Sequence, residues 1–184
     1  PRTHWETLAP AMRKHSEWHA KLAGHAPRGP FKHYWGEDSR WVGDANPFSL
    51  FLALGVPFEV VDSIPFDGWV FLSDADAKAL AAGRIRAIGS EPIYRPSAGL
   101  MIERIRVIEE DLQKLFAFKH EIMPRLDVPY ILEDAPIVCA WYPTARSVLL
   151  WNCSEENQHA TLKLKDSQRE TTLEPLGLAL LENI

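Results

Sequence analysis

The chain has 184 residues, of which 46% are hydrophobic and 24% charged, with a formal net charge of −5. That apolar share supports a folded core and excludes a disordered tail. No apolar run is long enough for a membrane-spanning helix, and the acidic balance argues against nucleic acid as a partner. One large domain, or one medium and one small, fits the length.

The start at Pro1-Arg2-Thr3-His4, without an initiator Met or a signal segment, reads as a piece of a longer protein. The two cysteines, Cys139 and Cys153, fall in one hairpin signal in apolar surroundings. They read as buried free thiols in a reducing compartment, which places the chain in the cytoplasm.

In chain order, residues 3–23 read as a helix, with Trp5, Leu8, Met12, His15 or His19, and Leu22 recurring at three and four. Gly24 is its stop. Phe31 to Trp35 reads as a short aromatic strand, followed by a polar loop to Asp44. Asn46 and Pro47 suit the start of a buried helix running through Leu54, closed by Gly55 and Pro57. Phe58 to Asp62 and Gly68 to Leu72 read as strands of the apolar kind found in covered parallel sheets. Ala75 to Ala82 reads as a short helix closed by Gly83, and Arg84 to Ile88 as one more strand.

Residues 97–126 carry Met101, Ile105, Ile108, Leu112, Leu115, Ile122 and Leu126 in four-three alternation, broken by Lys119. This predicts one long amphipathic helix. The period then changes to two. Ile137 to Tyr142 and Ser147 to Cys153 flank the turn signal Pro143-Thr144-Ala145-Arg146. Segments 160–165, 170–173 and 177–181 add strands, which predicts a small antiparallel sandwich. Trp141 and Trp151 read as neighbouring core residues across this hairpin. The expected division is an α/β domain with its long helix over 1–126, then an all-β sandwich over 127–184.

The loop Tyr34 to Asp44 carries the most suggestive chemistry. It gathers Tyr34, Trp35 and Trp41 around Glu37, Asp38, Arg40 and Asp44. Aromatic faces stack on sugar rings, and carboxylates with arginine bond hydroxyls, so these seven residues form a candidate carbohydrate-binding set. Glu37 and Asp38 are adjacent, and neighbours in an extended segment point opposite ways, which makes a poor acid–base pair. His15 and His19 have i, i+4 spacing, but His15-Ser16-Glu17-Trp18-His19 is not HExxH and reads as a surface pair rather than a metal site. No catalytic residue, metal or cofactor is assigned. GxSxG, GxGxxG and GxxxxGK[ST] are all absent.

The order of parts resembles the C-terminal region of β-galactosidase-like glycoside hydrolases. The resemblance rests on SLFLALGVPFEVVD within Phe48 to Asp62, GWVFLSDADAKALAA over Gly68 to Ala82, SVLLWNCSEE over Ser147 to Glu156, and TLEPLGLALL over Thr172 to Leu181. It implies an abbreviated flavodoxin/amidotransferase-like three-layer α/β domain, a long linking helix and a small antiparallel β-sandwich. It further implies an upstream catalytic domain of the same chain, homo-oligomerisation, and a non-catalytic accessory role in shaping the cleft or the oligomer. With no cysteine before Cys139, the α/β part lacks the nucleophile that amidotransferase chemistry needs. A stand-alone carbohydrate-binding module using the Tyr34 to Asp44 loop is the alternative.

Overall fold

The computed structural model describes residues 2–34, 52–64, 69–71, 79–80, 82–84, 105–106 and 112–184. Among the described residues, the helices α1 (Arg2–Leu22) and α2 (Leu112–Ile122) accompany ten strands. The strands are β1 (Phe31–Tyr34), β2 (Leu54–Val61), β3 (Trp69–Phe71), β4 (Ile105–Arg106), β5 (Tyr130–Ile131), β6 (Ile137–Tyr142), β7 (Ser147–Asn152), β8 (Gln158–Leu164), β9 (Ser167–Leu173) and β10 (Leu178–Glu182). Among the described residues, no helix is long and apolar enough to cross a membrane.

A seven-stranded sheet has the order β10-β7-β6-β2-β1-β3-β4, and a three-stranded sheet has the order β5-β8-β9. Strands β2, β1, β3 and β4 are parallel to one another. Strand β6 joins β2 in parallel, and β7 and β10 follow antiparallel. The architecture is therefore α/β with substantial further β-structure. The sheet runs without a break from segment 1–126 into segment 127–184, so the two halves share one backbone hydrogen-bond network.

Two cores form against this sheet. Phe31, Leu54 and Val56 pack with Leu115, Phe118, Ile122 and Met123, so α2 covers one face of the parallel strands. Phe31 stacks on Phe118 and Trp69 meets the same ring edge-on, each with centroids 5.4 Å apart. The second core joins Ile137, Cys139, Val148, Leu150 and Leu181 of the large sheet to Ile131, Ala160, Leu162 and Leu173 of the small one. Two layers pack as expected, but only the β5-β8-β9 layer is purely antiparallel; the other is mixed, because β6 pairs in parallel with β2, and β5 is an additional strand. Both sides alternate inward apolar and outward residues, the pattern two packed sheets need.

Several expected elements hold. Helix α1 ends where Gly24 takes φ +81°, the backbone region that favours glycine. The 137–142 and 147–152 strands form the expected hairpin around a 3₁₀ turn at Pro143–Ala145.

Others are corrected. The long helix over 97–126 is not formed. Ile105–Arg106 is a strand paired with Val70 and Phe71, α2 begins only at Leu112, and Met123–Arg125 is a 3₁₀ turn. The β-branched Ile105 sits in an apolar stretch that serves a period of two as well as a period of 3.5, and pairing with β3 selects the strand. The helix expected through Leu54 does not include that residue, because β2 already begins at Leu54. Gly55 has φ +70° inside β2, where the register to β6 shifts between Leu54 and Pro57. It is a bulge glycine rather than a helix stop. Trp141 pairs with Val148 and Trp151 with Val138, which puts the two tryptophans at opposite ends of the hairpin. Trp141 packs on the sandwich core, whereas Trp151 is exposed.

Of the strand expected over Arg84 to Ile88, Arg84 is in a bend with its amide on the Ala79 carbonyl; residues 85–88 and most of the helices expected over 48–54 and 75–82 lie outside the described residues. Ala79 and Leu80, from the second of these, are helical and buried.

Candidate functional site

Strand β1 lies at the middle of the parallel sheet, with β2 on one side and β3 on the other. The connection leaving β1 therefore heads one way to β2, and the connection leaving β3 heads the other way to β4. Crevices of this kind, above the carboxyl ends of parallel strands, are where α/β sheets hold ligands. Tyr34 is the last residue of β1, registered with Val61 and buried to 7% exposure. The candidate loop thus starts from the centre of the sheet's carboxyl edge. Its remaining members, Trp35, Glu37, Asp38, Arg40, Trp41 and Asp44, lie outside the described residues.

Alternation along β1 splits its side chains between two faces. Phe31 and His33 share the α2 face with Phe58 and Val60, their register partners. Lys32 and Tyr34 take the opposite face with Glu59 and Val61. His33 is fully buried and meets the Phe58 ring edge-on at 5.7 Å. Burial removes water from its imidazolium and lowers its pKa to about 3. A neutral ring with so weak a basicity, closed off from solvent, is a poor general base at neutral pH.

On the other face, Glu59 accepts from both Lys32 and Arg28. Partial burial pushes the Glu59 carboxyl up, but the two cations outweigh it and hold the group below its usual range. This triad ties the segment entering β1 to both central strands.

Lys119, which interrupts the apolar seam of the sequence, is a buried cation on the core side of α2. Its Nζ donates to the Glu133 carbonyl at 2.6 Å and lies 3.3 Å from Asp134 Oδ1. Desolvation lowers its pKa, and Asp134 acts against that. His120 Nε2 shares the same carboxylate at 2.7 Å. The visible signal was a lysine at a core-spaced position, and the Glu133-Asp134 dipeptide supplies its partners. Cys139 is buried and its thiol is pushed up to about 12 by desolvation, so it stays protonated. Cys153 is also a free thiol but only half-buried.

His15 and His19 stack with centroids 6.2 Å apart on the exposed part of α1. Among the described residues, no group of three His, Cys, Asp or Glu side chains is placed to hold a metal ion. No protein-family profile and no curated protein matches this chain.

Proposed function

We propose that this chain is a non-catalytic accessory region of a larger carbohydrate-active glycoside hydrolase. In this reading the Tyr34 to Asp44 loop forms part of the wall of the substrate cleft. The observation that carries it is the origin of that loop, at the carboxyl end of the central parallel strand where the connections diverge. The order β2-β1-β3-β4 agrees with four strands of a flavodoxin-like 2-1-3-4-5 sheet, with β6 added beside β2, and this supports the amidotransferase-like α/β layer of the resemblance. A sandwich continuous with that layer gives the loop a stiff base. The upstream catalytic domain, the cytoplasmic setting and assembly into a homo-oligomer belong to the same reading.

The aromatic and acidic composition of the loop favours one alternative, a carbohydrate-binding module that acts alone. Calorimetry of the 184-residue chain against a panel of oligosaccharides separates the two. The accessory reading expects no heat of binding and no hydrolysis of aryl glycosides by this chain alone. The alternative expects binding that Trp35→Ala or Trp41→Ala abolishes. Turnover by this chain, lost in Glu37→Gln, would overturn both.

A further inference from the structure

The described residues with large exposed apolar side chains are Met12, Val60, Trp151, Leu176 and Leu178. Three of these five, Trp151, Leu176 and Leu178, gather in one place. Leu178 is registered with Trp151 across β10 and β7, and Trp151 with Val138 across β7 and β6. Leu176 precedes Leu178 by two residues. On the other side of β10, Lys14 Nζ of α1 reaches the Leu178 carbonyl at 3.3 Å; Met12 is two residues away on the same helix and so points to its other side. The next row, Ala140-Leu149-Leu180, is buried or half-buried, and α1 is fastened beyond it by Lys21 to Glu182 at 3.0 Å. Helix α1 thus flanks β10 and leaves Trp151 and Leu178 exposed beside half-buried Val138. In the parallel part of the sheet Ile137 is registered with Leu54, the first residue of β2, so this row lies at the amino edge. It is on the opposite edge from the Tyr34 loop, and the inference does not depend on what that loop binds.

The patch has borders of opposite charge. Arg13 and Lys14 are exposed on α1, and Glu155, Glu156 and Glu174 are exposed on the loops that end β7 and precede β10. The acidic border is held in place. Buried Asn152 donates through Nδ2 to the Glu156 carbonyl at 2.7 Å and to the Glu174 carbonyl at 2.9 Å, and its Oδ1 accepts from the Ser154 amide at 2.9 Å. A surface ordered before binding loses less entropy on association.

We propose that this surface is a two-fold interface between two copies of the chain. A uniformly acidic or basic partner would be repelled along one border. A second copy turned by a two-fold axis through the apolar row sets each basic border against an acidic one and buries Trp151 and Leu178 at the centre. A buried tryptophan at the centre of a patch, ringed by charge, is the usual composition of an interface hot spot.

Sedimentation equilibrium of the 184-residue chain tests this. The expected result is a reversible dimer that salt weakens. Leu178→Lys, an exposed change that leaves the thermal midpoint in place, raises the dimer Kd by about thirtyfold or more. Arg13→Glu alone, and Glu155→Lys with Glu156→Lys alone, each place like charges across the axis and dissociate the dimer. An equimolar mixture of these two variants restores opposite charges at both borders and re-forms a dimer of one copy of each. A wild-type chain that stays monomeric overturns the proposal, as does a dimer unmoved by Leu178→Lys. A mixture no more associated than its components overturns it too.

Discussion

His33 spends its folded life as a neutral imidazole, and that has a consequence for stability. Its pKa is about 3 in the folded chain against an ordinary 6.5. Below pH 6.5 the unfolded chain takes up a proton that the folded chain refuses, so stability falls as pH drops through that value. Above it His33 contributes no slope. Between pH 6.5 and about 4.5 the expected loss approaches about 1.4 kcal/mol per pH unit. At lower pH, Glu59 and Glu133 add to the loss, because partners hold both carboxyls below the ordinary 4.5. Urea titrations at stepped pH measure the slope, and His33→Leu removes it in the upper window. An unchanged slope in that variant would assign the proton to another group. The burial of His33 could be read from the sequence only as a place in a short aromatic strand. The depth of that burial goes with the place of β1 between β2 and β3, which follow it in the chain.

At the scale of elements, β2 is the strand under the tightest constraint. Gly55 has φ +70°, and a Cβ there would lie 2.7 Å from the Ile131 Cβ. Gly55→Ala meets two penalties. One is the left-handed backbone, about 1–2 kcal/mol, and the other is overpacking against β5, about 1–3 kcal/mol. Chemical denaturation of the variant should show a loss of about 2–5 kcal/mol; a loss below about 1 kcal/mol would mean that the bulge relaxes freely. The sequence marked Gly55 as a point where the chain changes course, which it is, but as a helix stop. Its actual role depends on β6, and a window around residue 55 holds no trace of that strand. The hairpin of β6 and β7 was legible for the converse reason: its turn, its alternation and its partners are all local. The segment around Ile105 misled because one apolar spacing satisfied two periods, and a distant partner, β3, decided between them. Lys119 shows the same limit in reverse. It stood out as a break in the seam, and only the fold shows that the break is satisfied by Glu133 and Asp134.

For the whole molecule, the decisive pairing is Leu54 with Ile137 and Pro57 with Cys139. A division at residue 126 would cut between strands that are hydrogen-bonded to each other. Unfolding is therefore expected as one transition, with tryptophan fluorescence and far-ultraviolet circular dichroism tracing the same curve. Two separated transitions, with the sandwich outlasting the parallel strands, would show that the shared sheet does not couple them. Of the candidate loop, the composition was legible in the sequence, and its root at Tyr34 is visible only in the fold. Composition is a local property, whereas the position of β1 in the sheet is set by strands on both sides of it.

The order in which these strands are synthesised has its own consequence. Strand β2 leaves the ribosome with β1 available on one side, but the neighbour on its other side, β6, is made only after α2 and β5. Until then one flank of β2, buried in the finished protein from Leu54 to Pro57, has no strand to pair with. Such long-range closure slows folding and exposes pairing edges while it waits. A nascent chain stalled shortly before Ile137 is accordingly the form of this protein most prone to aggregate, and the one with most need of a chaperone.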